Sequence, residues 1–342
     1  MWSERLRKLA SPLGHHSGVY RRRWQALAQR QGLTAVLCYH RVVPSGERRK
    51  AGLTVDEGIT VATFEAQIRF MLRHFDAVSP AQAVSSGPTS RPRFAVTFDD
   101  GYADNHDVAA PVLTRLGVPA AFYVVSEYVG GSRRFWWDRL AAMLRDTPRR
   151  SLPIKGLLPQ AFAFPAELPL QDVRMRREAT DRLGAAFRQL ESAQVLPLLE
   201  RLQELLDTEG RPLPGDKLMS WEQVRRLASA GFEIGAHSTD HLNLARLDAQ
   251  ALERQVAGAK ARIEAETGSA VHTFAYPYGG ASHYTRETMD AVRRAGYRGA
   301  YTAINGVVTG GQDVVELPRL ALNWPYGFAC AHNLETAIRA VG

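Results

Sequence analysis

From Leu33 onward the hydrophobic positions repeat one phrase: a short apolar run, a turn, then a stretch with apolar residues every three or four positions that closes near a glycine. The short runs suit strands buried on both faces, and the longer stretches suit amphipathic helices. Residues 33–40 (LTAVLCYH), 93–100 (RFAVTFDD), 118–125 (VPAAFYVV), 232–237 (FEIGAH), 271–277 (VHTFAYP) and 297–302 (YRGAYT) read as strands. Helical spacing fills the intervals at about 63–75, 106–116, 248–267 and 284–295. Ser220-Trp221-Glu222-Gln223 has the form of a capping box, opening a helix that runs to Gly231.

Strict alternation of strand and helix implies right-handed βαβ units and a mainly parallel sheet. With at least six such strands and no GxGxxG after the first, a closed α/β barrel fits better than a dinucleotide-binding sheet. Residues 127–217 break the rhythm with the aromatic cluster Phe135-Trp136-Trp137, proline-punctuated loops and two helical stretches at about 170–190 and 192–207. The expected organisation is a basic segment at 1–32 and a barrel over 33–342, interrupted by a mainly helical insertion at 127–217.

Composition narrows the class only a little. A chain with 45% hydrophobic and 23% charged residues is globular, which excludes disordered and fibrous classes. Two distant cysteines, Cys38 and Cys330, indicate neither a disulfide framework nor a thiolate zinc site, so any metal is expected on histidine and carboxylate. No apolar run is long enough to cross a bilayer and no signal-peptide core is visible, so the cytoplasm is the expected location.

The charge of +8 is concentrated: residues 1–31 carry seven Lys or Arg against the single acid Glu4. Trp2, Leu6, Leu9 and Leu13 recur at helical spacing there, as do Tyr20, Trp24 and Leu27. Two expectations stand side by side, a peripheral anchor on the inner membrane face and a helix packed on the domain with its charges in water. Nucleic acid is not expected as a partner, because no basic stripe or aromatic RNA motif follows.

Three segments carry candidate chemistry. Asp99 and Asp100, in TFDDG, stand where a buried apolar strand ends, and buried carboxylates call for a metal or a proton-transfer role unless they merely cap a turn. His237 and His241, in HSTDH, follow another strand and lie on one face if the segment turns helically, which suits one divalent cation. Together with Asp100 they form a His-His-Asp set with open positions, as hydrolytic metal sites require. The third segment, Phe274 to Gly280, can aim main-chain N–H groups at a developing oxyanion, although alone it is only a turn. The aromatic faces at Phe135 to Trp137 could stack on sugar rings or simply pack within the insertion.

In order, YHRV, TFDDG, HSTDH, AYPYG and LPR resemble the motifs of the polysaccharide deacetylase family, the NodB homology domain of carbohydrate esterase family 4, over about 33–125 and 218–330. The resemblance implies a distorted, incomplete TIM-like (β/α) barrel. It also implies a divalent cation, zinc first with cobalt or nickel as alternates, and a carbohydrate substrate whose N-acetyl groups are hydrolysed, as in cell-surface polysaccharide biosynthesis.

By the same likeness Asp99 matches the catalytic base, while Asp100, His237 and His241 match the metal triad. Tyr278 matches the position whose main-chain N–H supports the oxyanion. Two features depart from the pattern. Ala275 stands where the family places an arginine, with Arg319 as the candidate substitute. The late Leu-x-His that supplies the general acid is not clear, leaving His40 and His332, with His40 favoured because it closes a strand. A deformylase on an amino sugar, or a carbohydrate-binding descendant without chemistry, are the alternatives.

Overall fold

A computed structural model describes residues 18–44, 58–159, 162–209, 217–321 and 335–336. The chain divides into two compact units, one of residues 1–45, 58–131 and 218–342, the other of 46–57 and 132–217. Residues 127–131 thus belong with the first unit, where Glu127 N–H donates to the Thr239 carbonyl and Gly130 N–H to that of Met219.

Seven parallel strands build the first unit's barrel, and a two-residue strand, Asp76–Ala77, pairs onto the second of them from outside the ring: β1 (Thr34–Tyr39), β2 (Arg93–Phe98), β3 (Ala120–Val124), β4 (Glu233–Ala236), β5 (Thr273–Ala275), β6 (Gly299–Asn305) and β7 (Leu317–Ala321). Their order is β1-β7-β6-β5-β4-β3-β2, and β2 pairs back onto β1 from Thr34↔Arg93 to Tyr39↔Phe98, so the ring closes. The expected (β/α) barrel is therefore present, with seven strands in place of the eight of a complete TIM barrel. It is also distorted. One residue pair, Phe274↔Ala236, joins β5 to β4, and the register shifts between β6 and β7. The strand β7 was hidden in the sequence by Pro318, a residue that normally argues against a central strand.

Alternation of side chains divides each strand between two layers. Ala35, Leu37, Phe94, Val96, Phe98, Phe122, Phe274 and Leu320 face the outer helices and form the main core. Val36, Ala95, Ala121, Tyr123, Ala275, Tyr301 and Leu317 fill the barrel interior. The same period of two places Cys38, Thr97 and Arg319 on that interior side, toward the carboxyl ends of the strands. Gly235 is required where it stands, because a Cβ there would meet the Tyr123 ring at 2.2 Å. Gly235→Ala is expected to destabilise the protein by about 1–3 kcal/mol or more by overpacking, which a lowered melting temperature would show.

The helix Val19–Gln31 carries the second basic stretch of the sequence. Tyr20, Trp24 and Leu27 are buried in the main core, Trp24 packs on Phe75 at 5.2 Å, and its indole N–H donates to Glu335 at 3.1 Å. Arg21, Arg22 and Arg23 are exposed, and Arg23 reaches the same Glu335 at 2.7 Å. This apolar face is thus occupied by packing. The first stretch, with Trp2, Leu6, Leu9 and Leu13, lies outside the described residues, as do Cys330 and His332. Among the described residues no helix is long and apolar enough to cross a membrane.

The second unit has its own core, built by the helices Trp136–Asp146, Val173–Phe187 and Ser192–Leu205 with a small antiparallel strand pair, Ser151–Pro153 against Glu167–Pro169. Phe135 and Trp137 stack on each other at 4.3 Å, and Trp136 stacks on Phe187 at 5.1 Å. Aromatic faces engaged with one another in this way favour packing over sugar stacking for this cluster.

Candidate active site

Among the described residues every candidate side chain but Arg319 emerges beyond the carboxyl end of a barrel strand, the end at which α/β barrels carry their chemistry. Asp99 and Asp100 directly follow β2, His40 follows β1, His237 follows β4, Tyr278 lies three residues past β5, and Arg319 sits within β7. The backbone there is unusual. Asp100 (φ 73°), Ser238 (φ 64°), His241 (φ 56°) and Tyr278 (φ 61°) are all left-handed, and among the described residues Asp207 is the only other non-glycine to share that conformation. Such conformations cost on the order of 1–3 kcal/mol each, and they persist where surrounding structure imposes them.

One result is that the two histidines meet without a helix, contrary to the simplest reading of their spacing. Residues 237–241 form a non-helical loop with two left-handed positions, closed by the His241 N–H donating to Ser238 Oγ at 2.9 Å. Ser126 N–H and Glu127 N–H, beyond β3, tie this loop down through the carbonyls of Ser238 and Thr239. The imidazoles then converge on Asp100: Oδ1 lies 3.5 Å from His237 Nε2 and 3.3 Å from His241 Nε2.

That arrangement can be tested for a cation. His237 Nδ1 lies 2.8 Å from the Ala275 carbonyl, which can only accept, so Nδ1 carries a proton and Nε2 is the nitrogen left facing Asp100, with a lone pair to offer a cation. Asp100 Oδ1 is itself buried with no hydrogen-bond partner. Lone pairs of nitrogen and oxygen facing one another within 3.5 Å repel unless something positive lies among them. Burial pushes the pKa of His241 down, favouring the neutral ligand form in spite of Asp100. These three residues fit a divalent cation.

Asp99 is held in a different way. Arg319, only 1% exposed, donates from both terminal nitrogens to the two Asp99 oxygens at 2.8 and 2.6 Å. Two further donors go to the Thr302 carbonyl at 2.8 Å and to Thr97 Oγ1 at 3.1 Å, which fixes the guanidinium plane. Burial again opposes ionisation, but the charge and hydrogen bonds of Arg319, with His237 nearby, lower the Asp99 pKa to about 2. A guanidinium thus reaches Asp99 from β7, while the Ala275 side chain is part of the barrel interior.

His40 has a ring nitrogen within 4.8 Å of both an Asp99 oxygen and Cys38 Sγ. Cys38 was set aside in the sequence, where no second cysteine stands near it. Its Sγ lies 3.6 Å from Asp99 Oδ2, and only the in-register pairing of β1 with β2, Cys38 opposite Thr97, discloses the contact. The Tyr278 ring packs edge-on against His241 at 4.7 Å, and the loop is anchored by Ala303 N–H donating to the Gly279 carbonyl. Gly279 has φ 61° and no room for a Cβ, which would lie 2.4 Å from that nitrogen.

Comparison with known proteins places these observations. A family model described as polysaccharide deacetylase matches residues 86–147 and 198–300. Solved structures of similar fold include a Streptococcus pyogenes deacetylase, PplD, in complex with acetate (TM-score 0.55, 14% identity, 90% of this chain and 98% of that one). IcaB from Ammonifex degensii is similarly close (TM-score 0.54, 20% identity, 89% and 98%). The Bacillus subtilis (strain 168) protein YxkH, which carries a polysaccharide deacetylase name, is 28% identical over 102 residues, 30% of this chain and 36% of its own length.

Proposed function

We propose that the chain, which the polysaccharide deacetylase model matches over residues 86–147 and 198–300, is a deacetylase of that family and hydrolyses the N-acyl amide, foremost the N-acetyl amide, of an amino sugar in a polysaccharide, an oligosaccharide or a glycan precursor. Asp100, His237 and His241 would hold the divalent cation, with zinc the first choice for two imidazoles and one carboxylate. When bound, that cation supplies Lewis acidity to the amide carbonyl and brings the pKa of a water from about 15.7 toward about 7.

The protein's own residues divide the remaining work. Asp99 takes the proton of the attacking water, and Arg319 is the positioning residue that keeps its carboxylate ionised and aimed. The main-chain N–H of Tyr278, in a turn set by two consecutive left-handed residues, donates to the oxyanion of the tetrahedral intermediate. An amine is a poor leaving group, so His40, beside Asp99, gives a proton to the nitrogen as the C–N bond breaks.

The observation that carries this reading is the buried, partnerless Asp100 Oδ1 faced by two imidazole nitrogens, with an arginine-clamped carboxylate next to it in sequence. Chelator-stripped protein is expected to release no acetate from N-acetylated saccharides, and zinc, cobalt or nickel to restore release. His241→Ala is expected to lose both tight metal binding and activity. Undiminished acetate release from metal-free protein would overturn the assignment. Formate release in place of acetate, measured on N-formyl substrates, would shift it to the deformylase.

A further inference from the structure

Beside the proposed metal triad lies a second set of donors that this reaction does not use as ligands. Cys38 projects into the barrel interior from β1, buried, with Sγ 3.6 Å from Asp99 Oδ2. One ligand atom from each of Cys38, His40 and Asp99 lies within 4.8 Å of the other two. A thiol, an imidazole and a carboxylate together are softer than the two imidazoles and carboxylate of the triad. His40 is half-buried, so the cluster has a way in from the substrate side.

We propose that Cys38, His40 and Asp99 form a second, inhibitory site for a thiophilic divalent cation. Asp99 can serve it without releasing Arg319, since each carboxylate oxygen has two lone pairs and the one on Oδ2 directed at Cys38 accepts only a weak S–H donor. Binding replaces that S–H contact with a metal-thiolate bond and sends the thiol proton to solvent. The guanidinium beside Asp99 repels an incoming cation, which makes this the weaker site and fixes the order of filling: triad first, thiol cluster second. Occupation would tie up the acceptor of the water proton and the donor to the leaving nitrogen together. Metal would therefore activate at the first equivalent and inhibit at the second. The inhibition rests on the roles proposed above for Asp99 and His40, whereas the binding does not.

The test is titration of the metal-free full chain with cobalt(II), read by absorption and by turnover. The first equivalent is expected to give ligand-field bands without thiolate character. The second is expected to add a near-ultraviolet thiolate-to-cobalt charge-transfer band, with turnover falling in step. Cys38→Ser and Cys38→Ala are expected to lose that band and the fall in turnover, each judged against its own activity at the first equivalent, while the first-equivalent spectrum shows that the site is folded. Cys330→Ser is expected to keep the band. In His241→Ala the thiolate band is expected to survive while the first-equivalent spectrum is lost. Absence of the band from the wild type, or its persistence in both Cys38 variants, overturns the second site. A band that rises with the first equivalent and vanishes in His241→Ala also overturns it. Failure of the triad reading would appear separately, as a missing first-equivalent spectrum.

Discussion

Replacing Asp99 with asparagine is expected to lower kcat by about 10²–10⁴-fold, the range associated with a general base, while metal content stays at the wild-type level. The two effects separate because different atoms are responsible. Metal affinity belongs to Asp100, His237 and His241, whose nitrogens approach Asp100 Oδ1 at 3.5 and 3.3 Å, whereas Asp99 is turned toward Arg319. An amide at position 99 keeps the volume and one acceptor but cannot take a proton from water. It also leaves a buried guanidinium without its counter-charge, so stability is expected to fall by several kcal/mol, and the assay belongs well below the melting temperature. Full turnover in Asp99→Asn, with metal retained, would remove Asp99 from the mechanism.

Arg319→Met has the second large expected effect, and it reaches both stability and pH dependence. The variant leaves the Asp99 carboxylate buried and unpaired, a loss of about 3–5 kcal/mol for a broken buried ion pair. In the wild type, Arg319 outweighs burial and brings the Asp99 pKa to about 2, so Asp99 is ionised at all ordinary pH values. Without the guanidinium, burial still acts and raises the pKa, so protonation begins at higher pH. The acid limb of kcat/KM should therefore move upward in the variant, a change that loss of stability alone does not produce. Pairing Arg319→Met with Asp99→Asn should recover much of the stability and none of the activity, because the pair is then removed rather than broken. An acid limb that stays in place would reduce Arg319 to a packing residue.

Much of this architecture was legible in the sequence, and the parts that were not share a cause. Strand and helix announce themselves by local period, so six barrel strands and the Ser220 capping box could be read directly, with Gln223 Oε1 accepting from Ser220 N–H as the motif requires. The carboxylates and histidines stood out because they terminate apolar runs. Four left-handed residues were invisible, since nothing in Asp100, Ser238, His241 or Tyr278 advertises that conformation, and so a helical turn was expected where a loop brings the imidazoles together. The β7 strand was masked by Pro318, although Arg319 was already suspected of serving Asp99. Cys38 was set aside as a metal ligand because its neighbours come from strand register, a relation across about sixty positions that no local pattern records.

The ring closure has a consequence for how the protein comes into being. The guanidinium that neutralises Asp99 lies 220 positions further along the chain, and β1 takes its place between β2 and the last strand of the ring. A ribosome would have to deliver residues 317–321 before either edge of the sheet could be sealed, so the nascent barrel must wait, open and with an uncompensated carboxylate inside, until that strand emerges. The paired site at Asp99 would then be completed in one event, when β7 joins the ring, not in instalments.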